Sequence, residues 1–512
     1  EVAFTDGQLE IRPRPGYPLR PGWRYVVAVL DATRSLEKDP DGIPYPIQVS
    51  PIFFLARSPY PLYDAEADAS LVPALLDGPT AALLEQLRGN YDLFFTALEA
   101  AADLDRTRIH LFWTFTTQRV SGWVRELRTS LAGLTVPGAV SATLKSPASY
   151  GYEDMDAVAQ LATDGRFGGY TALEPPDLAD PAAPIFSHLR LDAEGAPEWT
   201  PEEIPFSLAV PQGPGPFRVA IVQHGLSGRR ADFLAVANHF AAGGYVLVAM
   251  DLPLHGDRAL DGADSGAGFF NADAVSVRDN LVASALDQVQ LVRFIQSPSG
   301  LAALLPGVTL DTGGVYYVGE SLGGIVGALL IGVEPAVEAA ALVTMAGHLT
   351  RILQETQSDW LSQPINDALS AMGLEPGTAG YDQFLETAQM LLDRGDPINY
   401  AVEYGTMDVP PRLLLLTAGD EVGDGLMPRA AATEFACAAR YGDYPYSFHY
   451  EGSCAGEADE GVCHGFFLHP EGDPASTQDA WDKVLAFFDS DGAPGDEVGL
   501  NPGTALDCTF GN

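Results

Sequence analysis

The spacing of hydrophobic residues changes along this chain, and the change falls near residue 200. From about 201, short unbroken apolar runs alternate with stretches whose apolar positions recur every three or four residues. The runs "FRVAIVQHG" (217–225), "YVLVAMDLPLHG" (245–256), "GGVYYVGES" (313–321), "AAALVTMAG" (339–347), "RLLLLTAGD" (412–420) and "YSFHYEG" (446–452) predict strands. Between them, "ADFLAVANHFAAGG" (231–244), "SVRDNLVASALDQVQLVRFIQ" (276–296), "LGGIVGALLIG" (322–332), "MPRAAATEFACAAR" (427–440) and "STQDAWDKVLAFFDS" (476–490) predict helices. Strands apolar on both faces, alternating with helices, point to an α/β fold with a mostly parallel sheet covered on both sides. One segment interrupts the alternation. Residues 349–410 carry two helical stretches between two core strands, which predicts a cap over the sheet edge where ligands of open α/β sheets bind.

The first 145 residues read differently. "GWRYVVAVLDA" (22–32) and "RIHLFWTFTTQ" (108–118) are aromatic and β-branched, with partial alternation, and predict strands. "TAALLEQLRGNYDLFFTALEAAADL" (80–104) has helical spacing, with Leu83, Leu84, Leu87 and Tyr91 on one face. A β-sandwich with a helical insertion is expected over 1–145. Residues 146–200, rich in Gly, Pro and Asp, are expected to be a linker and lead-in, and "LEPPDLADPAAP" (173–184) to be neither helix nor central strand. A second, α/β domain is expected over 201–512.

A chain of 512 residues is too long for one ordinary core, and a hydrophobic content of 46% suffices for globular folding. No apolar run reaches membrane-spanning length, so no stable membrane insertion is expected. The net charge of −41 argues against nucleic-acid partners, because phosphate backbones reward basic surfaces. It also disfavours anionic membranes. Lysine occurs only at Lys38, Lys145 and Lys483. The acidic surface suits a soluble secreted protein or a salt-adapted one. All four cysteines, Cys437, Cys454, Cys463 and Cys508, lie near the C-terminus. Four cysteines allow three pairings, of which Cys454–Cys463 with Cys437–Cys508 is the expected one, and disulfides imply an oxidising, extracellular setting.

Candidate chemistry centres on Gly319-Glu320-Ser321-Leu322-Gly323, a G-x-S-x-G pattern between a predicted strand and a predicted helix. A serine hydroxyl is a weak nucleophile until a base takes its proton. The base should follow the last strand and precede the last helix, which selects His464 in "VCHGFFLHP" from nine histidines. His469 is the alternative, and His449 lies inside a strand. A carboxylate must then orient the imidazole. "AGDEVGDGLMP" offers Asp420, Glu421 and Asp424, of which Asp424 is preferred and Asp420 remains open. The oxyanion of an ester intermediate needs two backbone N–H donors. Leu322, after the serine, and Leu226, in "QHGLSG", are the expected pair. His224 is expected to shape its loop. Asp251 and His255 in "DLPLHGDR" read as structural hydrogen-bonding groups rather than metal ligands, and "DSDGAPGDE" (489–497) as a solvated turn.

"QHGL", "DLPLHGDR", "VRDNLVASALDQ", "VGESLGGIVG" and "CHGFF" together resemble the α/β-hydrolase superfamily. Within it they are similar to extracellular bacterial lipases and esterases with an Ig-like N-terminal domain, whose close "WTFTTQ" resembles. Glu320 stands where many relatives carry histidine, and the acid loop is longer than usual. The resemblance implies carboxylic-ester hydrolysis through an acyl-serine, without metal or organic cofactor; a secreted, monomeric serine esterase or lipase is expected. Its partner would be a small-molecule, lipid or polymeric ester. Polyester or peptide cleavage at the same site, and an inactive surface binding module, are the alternatives.

Overall fold

A computed structural model describes the chain apart from residues 1, 6–7, 12, 14–17, 136–137, 175–185, 453–462, 496–497 and 509–512. It divides into two compact units, Gly22–Gln118 and the remainder, Glu1–Pro21 with Arg119–Asn512. The described start of the chain pairs β1 (Val2–Thr5) with β2 (Gln8–Ile11).

In the Gly22–Gln118 unit, β3 (Arg24–Leu30) pairs antiparallel with β8 (Ile109–Thr116). Two further ribbons join β4 (Arg34–Lys38) to β5 (Pro44–Pro46) and β6 (Tyr63–Asp64) to β7 (Ala69–Ser70). Helix α1 (Pro51–Ala56) precedes α2 (Gly78–Ala102), which begins where the Asp77 carboxylate accepts the Thr80 N–H at 2.8 Å. Phe53, Phe95, Ile109 and Phe112 form the core. The expected strands and helix are therefore present, but the described strands form two-stranded ribbons rather than an Ig-like sandwich. Pro and Gly interrupt the first 60 residues too often for long ladders. The aromatic face of the β3–β8 ribbon packs on α2 in place of a second sheet. The unit ends at Gln118, so the boundary precedes the expected one.

The larger unit opens with α3 (Ser121–Ala132) and β9 (Ala139–Ser141). Its sheet continues through β10 (Val158–Thr171), β11 (Thr200–Pro211), β12 (Phe217–Gln223), β13 (Tyr245–Met250), β14 (Leu310–Glu320), β15 (Val337–Val343), β16 (Arg412–Gly419) and β17 (Tyr446–Glu451). The spatial order is β17-β16-β15-β14-β12-β13-β11-β10-β9. Strands β12 to β17 run parallel, while β11 is antiparallel to both neighbours. This mixed sheet with flanking helices fits an α/β-hydrolase fold.

Each central strand feeds two cores. Val219 and Ile221 of β12 face one, and Ala220 and Val222 face the other. The first core receives α5 (Ala274–Gln296) and α7 (Leu322–Ile331); the second receives α4 (Leu234–Ala242) and α13 (Pro474–Asp489). A short α6 (Leu301–Leu304) follows α5.

The lead-in over 146–200 is not merely a linker. β10 occupies 14 residues of it and pairs with β11. Its sequence hides the strand because its glycines are packing requirements: a Cβ on Gly165 would lie 2.6 Å from the Phe206 ring. The described residues of "LEPPDLADPAAP" do not extend past Glu174.

The expected cap lies between β15 and β16. It comprises α8 (Leu349–Glu355), α9 (Asp359–Ala371), α10 (Ala379–Leu392) and the short α11 (Ile398–Ala401). Its two ends meet at the buried Asp396 carboxylate. That group accepts N–H bonds from His348 (2.8 Å), Leu349 (2.7 Å) and Ile398 (3.1 Å), and one from the Gln389 side chain (2.8 Å). After β16, α12 (Arg429–Ala438) carries Cys437, which is joined to Cys508. Cys454, of the other expected pair, lies outside the described residues. Among the described residues no helix is long and apolar enough to cross a membrane.

Candidate active site

β14 ends in Glu320, and α7 starts at Leu322, so Ser321 alone makes the turn. Its φ of 57° and ψ of −119° put a non-glycine residue in a sparsely populated region. Such a conformation costs about 1–3 kcal/mol and persists only where its surroundings impose it. They do so here by close approach. A Cβ on Gly319 would lie 2.3 Å from the Gly323 carbonyl oxygen, and one on Gly323 would lie 2.4 Å from that of Gln223. The Ser321 N–H donates to the Val343 carbonyl at 2.9 Å.

Ser321 Oγ lies 2.7 Å from His464 Nε2, and His464 Nδ1 lies 3.0 Å from Asp424 Oδ2. With Nδ1–H donating to the carboxylate, Nε2 is left to accept the serine proton. The His464 N–H also donates to the Asp424 carbonyl at 3.1 Å, which ties the two loops together. Asp424 is buried, and its Oδ1 accepts the N–H groups of Leu426 (3.0 Å) and Met427 (2.7 Å). Burial acts to lower the His464 pKa. The Asp424 charge and hydrogen bond, helped by Glu320, outweigh burial and raise it.

The competing residues are placed elsewhere. Asp420 Oδ1 accepts the N–H groups of Val422 (2.8 Å) and Gly423 (3.2 Å), and these backbone bonds lower its pKa. Glu421 is exposed. His469 is exposed and donates its N–H to the Gly465 carbonyl at 3.0 Å. His449 bonds Thr417 Oγ1 at 2.9 Å. Buried His224 bonds the Gly225 carbonyl at 2.8 Å, and burial pushes its pKa down to about 4. His255 is likewise pushed down to about 3. Asp251 pairs with Arg230 and accepts the Asp257 N–H at 3.0 Å. Of the 489–497 turn, residues 496 and 497 lie outside the described residues.

Leu322 is the first residue of α7, so its N–H has no acceptor within the helix. Leu226 reaches the same place from the loop after β12. A Cβ on the preceding Gly225 would lie 3.1 Å from Ser321 Cβ. Leu226, Ser321 and Leu322 together form part of the wall of an apolar cavity. Cap helices supply most of the remaining wall, including Leu361, Ile365, Leu369 and Leu385.

Glu320 has a role that the motif alone does not convey. Its buried carboxylate accepts the N–H groups of Phe467 (2.8 Å) and Leu468 (3.4 Å), and so anchors the loop that carries His464. Burial raises its pKa. The available signal was a charge at the end of an apolar strand, where water cannot reach and a partner is obligatory. Glu320→Gln, which keeps an acceptor but removes charge beside His464, is expected to move the acid limb of the kcat/KM profile to lower pH. The sign follows because a lost negative charge disfavours the imidazolium. Glu320→Ala also frees the loop and is expected to cost kcat roughly ten- to a hundredfold. pH–rate profiles of both variants check this.

No family model matches the chain, and no curated protein matches it. Solved structures do. An acetyl xylan esterase from a Thermoanaerobacterium species is 16% identical with a TM-score of 0.43, over 69% of this chain and 91% of that one. An acetyl xylan esterase from a Paenibacillus species gives 16% and 0.42, over 70% and 93%. A thermostable carboxyl esterase from Bacillus coagulans gives 14% and 0.37, over 57% and 95%.

Proposed function

We propose that this chain is a serine hydrolase of carboxylic esters that works through an acyl-serine intermediate. One observation carries the reading: Ser321, His464 and Asp424 form a continuous hydrogen-bonded chain whose serine end lies in the wall of an apolar cavity. Ser321 Oγ attacks the ester carbonyl carbon as His464 Nε2 takes its proton. The carbonyl oxygen becomes an oxyanion held by the Leu226 and Leu322 N–H groups. Collapse breaks the bond to the alcohol oxygen, which receives the proton from His464. Water then attacks the acyl-serine, His464 again moves the proton, and the acid departs with Ser321 restored. Asp424 holds the imidazole tautomer throughout. The complete set of site residues counts against an inactive binding module.

A cavity roofed by cap helices suits small esters better than polymer chains. The Cys437–Cys508 disulfide supports an oxidising, extracellular location.

Hydrolysis of p-nitrophenyl esters by the wild type and Ser321→Ala tests the reading. Wild-type turnover that falls by at least about 10⁴-fold in the variant supports it. Equal activity in the two proteins would refute it.

A further inference from the structure

The cavity beside Ser321 is unusual in how little it offers a polar group. Among the described residues that line it none is ionisable, and apart from Ser321 only Asn271 and Thr350 carry polar side chains. Both are already engaged. Asn271 Nδ2 donates to the Gly268 carbonyl (3.0 Å) and to Ser276 Oγ (3.1 Å), while its Oδ1 accepts the Asp273 N–H (2.7 Å). Thr350 Oγ1 donates to Gln389 Oε1 at 2.8 Å. A hydroxylated or charged group entering this space would give up water and find few partners in return.

The wall also distinguishes the two ends of an ester. Ser321 and the two oxyanion residues, Leu226 and Leu322, belong to it; His464 does not. The leaving alcohol must depart beside His464, because that imidazole protonates it. The carbonyl, held between Ser321 and the two amides, therefore directs its acyl substituent into the cavity.

From this we infer that the substrates are esters of unsubstituted hydrocarbon acids longer than acetic acid, with the acyl chain bound among the cap helices. The inference rests on the ester-hydrolase reading. It predicts selectivity governed by the acid and largely indifferent to the alcohol. Burying a methylene in such a site favours it by about fourfold, and hexanoyl carries four more than acetyl. From acetyl to hexanoyl, kcat/KM should therefore rise by roughly tenfold or more.

The test compares p-nitrophenyl acetate and hexanoate, and ethyl and hexyl acetate, using the full chain. The acyl series should show the rise, and the alcohol series should vary by less than about threefold. Ala388→Phe, which places a ring in the cavity from α10, should lower the hexanoyl-to-acetyl ratio at least tenfold, as roughly expected for lost apolar burial. Ile365→Asn, at a half-buried position of α9, should lower the same ratio and serves if the first variant does not fold. Ser321-dependent activity that is greatest on acetate, or that follows alcohol length, overturns the inference and leaves the ester-hydrolase reading standing. Failure to cleave any ester, or activity retained in Ser321→Ala, overturns both.

Discussion

His464→Ala is expected to lower kcat for ester hydrolysis by about 10⁵–10⁶, and adding Ser321→Ala is expected to lower it little further. In the proposed mechanism both residues act in one proton transfer. Without Nε2 at 2.7 Å from the hydroxyl, Ser321 remains a weak neutral nucleophile, and deleting the hydroxyl as well removes nothing that still works. Residual catalysis of about 10³–10⁴ over water should survive, because the two backbone donors remain in place. Single-turnover kinetics of the two single variants and the double variant measure this coupling. Independent, additive losses would mean that the two side chains do not share a step. The wild-type pH profile provides a companion reading. His464 must be neutral to accept a proton, and its pKa is raised. Activity should therefore fall on acidification through a pKa above the ordinary histidine value.

Asp424→Asn is expected to cost about 10⁴ in kcat, whereas Asp420→Asn should stay within about twofold of wild type. The amide oxygen introduced in place of the Asp424 carboxylate can still accept the Leu426 and Met427 N–H groups, so the loop should keep its shape. What changes is the atom facing His464. An amide NH₂ there favours the tautomer protonated on Nε2, which can no longer accept the serine proton. Asp420 supports only the Val422 and Gly423 amides of its own loop. Comparing the two variants at saturating ester, with circular dichroism to show that both fold, separates the two acids. A large loss at Asp420 with little change at Asp424 would reverse the assignment.

The alternation of apolar runs with helical stretches led directly to the larger unit, because strands buried on both faces carry a continuous signal. The order serine, acid, histidine along those strand ends was likewise readable, and the structure brings Ser321, Asp424 and His464 together. Choosing Asp424 over Asp420 is a matter of a few residues of loop, and only coordinates show which carboxylate faces the imidazole. β10 carries no clear strand signature because Gly165 answers to the Phe206 ring and not to strand propensity. The Gly22–Gln118 unit shows the opposite failure. Its strands and helix were legible, but their partners were not, since pairing depends on contacts between segments far apart in sequence. Glu320 was visible only as an exception to an apolar run. Its hydrogen bonds to Phe467 and Leu468 span 147 and 148 residues of chain and have no local signature.

The most direct test of the central claim is stoichiometric labelling with a p-nitrophenyl alkylphosphonate. Attack by Ser321 Oγ on phosphorus would expel p-nitrophenolate and leave a stable phosphonyl-serine. The account predicts one equivalent of p-nitrophenol per chain, loss of esterase activity in parallel, and the added mass located on Ser321 by peptide mapping. Label on another residue, or full labelling with ester hydrolysis undiminished, would contradict it.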